Sequence, residues 1–216
     1  MPIVFYGVGS PLVPDVEETC KRLGLQVAAC IKNVEGPTFA STGQRVVGVH
    51  DIPAYLTAHE FVVPLFTPGH RHAAAEDARG RGFTSPAVLV DPTAIVASTT
   101  TLLDGCYVNC AVNIGAAGHI GRFVFINRGA SIGHHADIAD FVSIGPGAVI
   151  CGQARLGRGA VVAAGAVVIQ NIEIGANAVV GAGAVVTRSV PPHCLVTGNP
   201  ARVVKSDIPG YNDRSV

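Results

Sequence analysis

The chain has 216 residues, 49% of them hydrophobic and only 14% charged, with 26 glycines and no tryptophan. Fifteen basic and fifteen acidic side chains cancel, which argues against a nucleic-acid or membrane-surface partner, and no apolar run reaches the ~20 residues of a membrane-spanning helix. The N-terminus has no basic stretch of the secretory kind, and the six cysteines form no C-x-x-C. They read as free thiols, so the expected location is the cytoplasm.

Ile3 to Tyr6 is a short apolar run ending in Gly7-Val8-Gly9-Ser10-Pro11. Val16, Cys20 and Leu23 share one face of a helix over 13–23, and 26–31 reads as a second strand. Strand, glycine loop, helix and strand make half of a βαβ nucleotide-binding unit. A dinucleotide fingerprint would need a third glycine where Leu12 stands and an acid where Lys32 and Asn33 stand. Dinucleotide redox chemistry is therefore not expected. The loop fits a mononucleotide or sugar-nucleotide site, with helix-start N–H groups facing phosphate; the alternative is a turn that binds nothing. Segments 46–49 and 61–65 read as further strands, 52–59 and 70–80 as helices. Residues 1–86 thus form a small Rossmann-like α/β domain.

Asp91-Pro92-Thr93 marks a change of pattern. From Val90 to Val186 every sixth residue is aliphatic, as in Val108, Ile114, Ile120, Ile126, Ile132, Ile138 and Ile144. Four residues after each comes a small or β-branched one, such as Val112, Gly118, Val124, Ala130 and Ala136. A period of six belongs to neither a helix nor a flat strand. It is the hexapeptide signature of a parallel β-helix, in which aliphatics stack from coil to coil and small residues fit crowded corners. Residues 87–205 are assigned to this all-β domain. Residues 206–216 are polar, contain Pro209-Gly210, and are expected to form a loose tail.

Chemistry points to the histidines. His50, His59, His70, His72 and His193 lie outside the regular hexads and read as loop or surface residues, and His119 stands alone within them. His134 and His135 sit together in Ile132-Gly133-His134-His135-Ala136-Asp137, in a mid-hexad position that points away from the core. A neutral imidazole accepts a proton near pH 7, as an amine or hydroxyl must lose one when it attacks a thioester. Asn127, one hexad earlier, is placed to hold an acceptor or orient the ring. Zinc needs three protein ligands; adjacent histidines in an extended strand diverge to opposite faces, so no metal is expected. The absence of a nucleophile elbow speaks against a covalent acyl-enzyme.

The hexads, Ser131-Ile132-Gly133-His134-His135, the run from Ile144 to Gly152, and the closing Gly198-Asn199-Pro200-Ala201-Arg202-Val203-Val204 resemble the hexapeptide-repeat acyltransferases. Within them the chain is similar to the bacterial sugar O/N-acyltransferases of surface-glycan biosynthesis. These include the sialic acid O-acetyltransferases and the N-acetyltransferases of nucleotide-linked 4-amino-6-deoxy sugars, such as the bacillosamine-pathway enzyme. The resemblance implies a left-handed β-helix, a homotrimer, and acetyl-CoA in the groove between neighbouring β-helices. It makes His134 the general base, with His135 at the position of the family's acidic partner. Asn127 becomes an acceptor-sugar contact and the Gly152 N–H the donor to the thioester oxygen. It places Ser143, Ala164 and Ala182 along the pantetheine arm and Arg202 and Lys205 at the CoA phosphates. The nucleotide falls to Gly7, Gly9, Ser10, Lys32 and Asn33, where this chain departs from the family pattern. His135 is a further departure, and Asp137 or Asp140 of this or a neighbouring chain is a substitute source of charge. The function implied is N-acetylation of a nucleotide-linked amino-deoxy sugar. The alternatives are O-acetylation of a sialic acid or other sugar hydroxyl and, more distantly, a non-catalytic scaffold or a carbonic-anhydrase-like metal protein.

Overall fold

The computed structural model describes residues 2–216. Its first part comprises β1 (Ile3–Tyr6), α1 (Val13–Arg22), β2 (Val27–Lys32), β3 (Val46–Gly48), β4 (Glu60–Val62) and α2 (Pro68–Gly80). The four strands are parallel in the order β3-β2-β1-β4. The chain winds outward from β1 through β2 to β3 and then returns to the other side of β1. The point where the order reverses, between β1 and β4, is where open α/β sheets form a crevice at their carboxyl ends. Residues 54–58 make a 3₁₀ turn inside the segment read as a helix. α2 starts at Pro68, two residues before its predicted start, because a proline at the first helical position has no N–H to leave unpaired.

Beyond Pro86, which still bridges to Phe61, two-residue strands recur every six residues from Leu89–Val90 to Val185–Val186. They stack in parallel one coil apart, so that His119 pairs with Thr101 behind it and Asp137 ahead. Three faces result. The first carries Tyr107–Val108, Phe125–Ile126, Ser143–Ile144 and Val161–Val162; the second Asn113–Ile114, Ser131–Ile132 and Val149–Ile150; the third His119–Ile120, Asp137–Ile138 and Arg155–Leu156. The second residue of each strand is the hexad aliphatic and points inward, where it joins the small series in one continuous core. This is the left-handed parallel β-helix. The last coil is shorter: Val190 bridges to Ile174, and an antiparallel strand, Arg202–Lys205, closes the first face.

The N-terminal domain lies on the first face, so that outward residues there, among them Tyr107, Phe125, Ser143 and Val161, are buried. At the corner between the third and first faces Phe123 and Phe141 take left-handed backbone angles (φ 53° and 60°) and stack with centroids 5.2 Å apart. Both enter the core of the N-terminal domain with Phe61 and Phe83. Arg71 of α2 is almost wholly buried and faces no carboxylate. Its guanidinium donates to the carbonyls of Leu65 (2.5 Å), Phe66 (2.8 Å), Phe123 (2.7 Å) and Phe141 (2.8 Å) and to the Ser143 hydroxyl (2.9 Å). Burial pushes it down to about 9, still protonated at neutral pH. Asp91, also buried, receives Arg22 of α1 at 2.5 Å together with Thr19 and Thr93. Desolvation raises its carboxyl, but hydrogen bonds from Arg22, Thr93 and Thr19 outweigh it and bring it to about 2.

The C-terminal segment is not a loose tail. Ile208 is buried and its N–H donates to His193 O at 3.0 Å, Tyr211 meets Phe66 edge-on, and Asn212 donates to Thr67 Oγ1 at 3.0 Å. Val216 N donates to Asn177 Oδ1 at 3.0 Å. A side chain at Gly69 would strike Arg214 at 2.7 Å, so the strap lies directly on the start of α2. Its polar composition hides these contacts, because their partners are far away in the chain. No helix among the described residues is long and apolar enough to cross a membrane.

Candidate active site

His134 and His135 occupy the corner between the second and third faces, the edge of the prism opposite the face that the N-terminal domain covers. Both are exposed. Contrary to the expectation of divergence, their rings meet: the Nδ1 atoms are 3.0 Å apart and the ring planes stand at 87°. The physical reason is the backbone. His135 adopts φ 56°, a left-handed corner residue rather than part of an extended strand. One Nδ1 must donate to the other, because a neutral imidazole carries one N–H and one acceptor nitrogen.

Gly152 occupies the same corner one coil further on. A Cβ there would lie 2.8 Å from both Nε2 and Cε1 of His134. A side chain at Gly152 would displace the His134 ring: the imidazole occupies the volume of the missing side chain, with its Nε2 edge over the glycine backbone. Among the described residues the Gly152 N–H meets no backbone or side-chain acceptor, whereas its neighbour Gln153 donates to His134 O at 2.9 Å. A proton acceptor and a free N–H donor are thus side by side at an open corner.

The other predicted residues fall elsewhere. Ala164 and Ala182 are exposed one above the other at the corner between the first and second faces. Arg202 and Lys205 are exposed on the closing strand. Asn127 does not join His134: it is buried, and its Oδ1 accepts from Asn109 Nδ2 (3.1 Å) and Arg128 N (2.8 Å) in a corner ladder. Ser143 is also misplaced as a surface contact. Its hydroxyl is inaccessible and is spent on Arg71 and the Phe66 carbonyl, because the first face lies under the N-terminal domain. Neither Asp137 nor Asp140 touches the histidine pair; Asp140 accepts from Arg122 N and pairs with Arg158.

The N-terminal domain holds a second concavity, a cleft of about 610 Å³ at the carboxyl ends of its strands, lined by Gly9, Asn33, His50, Leu65, His70, Asp77 and Arg81 among others. A depression of about 340 Å³ extends it past Lys32. Gly7 backs onto Asn33 and Leu65, and Ser10 Oγ is occupied in accepting Leu12 N at 3.2 Å. His50, His70, Asp77 and Arg81 were not singled out in the sequence. The available signal was topological: His70 lies in the first turn of α2, the helix after β4, beside the reversal of strand order. Asp77 is already engaged by the Tyr6 hydroxyl (2.5 Å) and Arg81 Nε (3.0 Å), and desolvation with the adjacent Asp77 pushes the Tyr6 phenol well above its usual range.

Solved structures share this fold over nearly the whole chain. A perosamine N-acetyltransferase from Caulobacter crescentus, crystallised with CoA and GDP-perosamine, is 29% identical, with a TM-score of 0.85 over 95% of this chain and 97% of that one. The acetyltransferase domain of PglB from Neisseria gonorrhoeae, solved with acetyl coenzyme A, is 25% identical, with a TM-score of 0.83 over 94% and 98%. WeeI from Acinetobacter baumannii, at 23% identity and a TM-score of 0.80, has the same fold. Over nearly its whole length this chain is similar to these acetyltransferases. No protein-family model and no curated protein sequence matches the chain. Among its described residues no three His, Cys, Asp or Glu side chains converge as metal ligands.

Proposed function

We propose that this acyltransferase moves the acetyl group of acetyl-CoA to the amine of a nucleotide-linked amino sugar. The observation that carries the reading is the corner pair: a histidine Nε2 packed on a glycine whose N–H is free. In this mechanism Nε2 of His134 takes the proton of the amine as its nitrogen bonds to the thioester carbonyl carbon. The Gly152 N–H donates to the oxyanion that forms, a contribution of roughly 10²–10³ in rate for one such donor. The carbon–sulfur bond then breaks, and His134 returns the proton to the departing thiolate, which leaves as CoA.

The cleft at the reversal of strand order is the nucleotide site in this reading. Gly9 lets a phosphate approach the backbone, and Asn33, Lys32, His50, His70 and Arg81 supply polar and cationic groups. The first-second corner with Ala164 and Ala182 is smooth enough for a pantetheine arm, and Arg202 and Lys205 stand free to meet CoA phosphates. Within one chain these surfaces and His134 lie on different edges of the prism. A homotrimer resolves this, because a head-to-tail contact closed by threefold rotation sets the first-second corner and N-terminal domain of one subunit beside the second-third corner of the next. The six unpaired cysteines fit a reducing cytoplasm.

The test is CoA release from acetyl-CoA, followed with a thiol reagent, in the presence of UDP-, dTDP- or GDP-linked 4-amino-4,6-dideoxyhexoses. Release with one of these, and a base-stable amide product, is the expected outcome. Release only with a hydroxyl acceptor such as sialic acid would replace the N-acetyl reading by O-acetylation.

A further inference from the structure

Among the described residues, His135 is the side chain that meets His134 Nδ1. Its position is fixed by the coil: its N–H donates to Ala116 O at 2.9 Å, while His134 O accepts from Gln153 N at 2.9 Å. The left-handed turn is a property of this corner, since Ala117, Gln153 and Asn171 share it at φ 58°, 61° and 59°. The coil therefore supplies the geometry, and the residue type at this position decides what meets His134. Here it is an acceptor-capable nitrogen 3.0 Å from His134 Nδ1.

We infer that His135 is a positioning residue: its Nδ1 accepts the Nδ1–H of His134 and so reserves Nε2 of His134, the atom over Gly152, for the proton of the acceptor amine. The direction of this hydrogen bond follows from what happens on proton transfer. Once Nε2 gains a proton, His134 is a donor at both nitrogens. If His135 had been the donor, two N–H groups would then face each other at 3.0 Å. With His134 as donor the same hydrogen bond persists before and after transfer, and it shortens the reorganisation that the step requires. The partner so supplied is an imidazole nitrogen and not a carboxylate oxygen. No charged side chain faces the pair from the packed coils, which present Ala116 and Ala117 on one side and Gly152 and Gln153 on the other. The nearest titratable groups along the chain are Cys151, before Gly152, and Asp137, which stacks in register with His119 and Arg155 on the third face.

The role rests on the acyl-transfer reading, and the experiment separates the two. Nitrogen-15 histidine NMR on the whole protein above the acid limb reads the tautomer directly and needs no substrate. The expected result is His134 carrying its proton on Nδ1. In parallel, pH–rate profiles are taken for His135→Phe, which keeps a ring but offers no acceptor, for His135→Gln and for His135→Glu. The phenylalanine variant is expected to lose tenfold or more in kcat, on the general acid–base scale, with KM for acetyl-CoA unchanged. Glutamine, whose amide oxygen accepts the same N–H, is expected to restore most of it. Glutamate is expected to restore it and move the acid limb to higher pH, because a neighbouring anion favours the protonated ring. Nε2 protonation of His134 in the native protein, or an unchanged kcat and pH profile in the phenylalanine variant, would overturn the inference. Absence of transfer to every acceptor would sink the acyl-transfer reading alone, since the tautomer would still be measured.

Discussion

At the coil corner, His134 and Gly152 belong to successive turns of one repeat, and both are held by the same backbone ladder. In the N-terminal cleft, Gly9, His50, His70 and Arg81 come from separate loops and from α2, and only the sheet beneath brings them together. The first arrangement is rigid because every coil repeats the geometry of its neighbours; the second depends on how well one domain is fastened to the other. That fastening is polar at Arg71, at Asp91 and at the Arg128–Asp15 ion pair, and aromatic at the stacked Phe123 and Phe141. Invariant chemistry suits the corner, and acceptor recognition suits loops that vary without disturbing the coil.

The strongest way to break this contrast is Arg71→Met. It leaves the carbonyls of Leu65, Phe66, Phe123 and Phe141 without their shared donor, at an expected cost of about 1–3 kcal/mol for each buried acceptor left unpaired. Urea unfolding watched by aromatic fluorescence and by hydrogen exchange should show the N-terminal domain released first; a single unshifted transition would contradict the clamp. His134→Ala acts on the corner alone, with turnover down a hundredfold or more on the general-base scale and an unchanged melting temperature. Near-native turnover would remove His134 from the mechanism.

Asp91 sharpens the comparison through pH. Its folded-state carboxyl, at about 2, lies below its unfolded value, so the stability it contributes is complete above about pH 4 and is lost as pH falls towards about 2. The expected size is roughly 2 kcal/mol. Asp91→Asn should lower stability at neutral pH and flatten its decline through that acid window, measured by denaturation at several pH values. A decline as steep as in the native protein would place the acid sensitivity elsewhere. The smallest effect belongs to the cleft. His70→Ala should raise KM for the nucleotide sugar several-fold, the scale of one lost hydrogen bond, and leave kcat and KM for acetyl-CoA alone. A fall in kcat instead would tie His70 to the chemistry.

The period of six made the β-helix legible in the chain itself, because each aliphatic must find a counterpart one coil away whatever the rest of the protein does. The same period put His134 and Gly152 at equivalent positions of successive coils, and so made them neighbours on paper. Which outward positions stay outward was not legible. The resemblance placed both Ser143 and Ala164 along the pantetheine arm, and the docking of the N-terminal domain on the first face buried one and left the other exposed. The meeting of His134 with His135 came from a left-handed turn that the pattern of hydrophobic residues does not encode. Arg71, the C-terminal strap and the cleft histidines were decided wholly by tertiary structure, since their partners lie far away in sequence and leave no local signal. Local periodicity determines a repeat because its contacts are between equivalent positions; contacts between unlike elements exist only once the domains have packed.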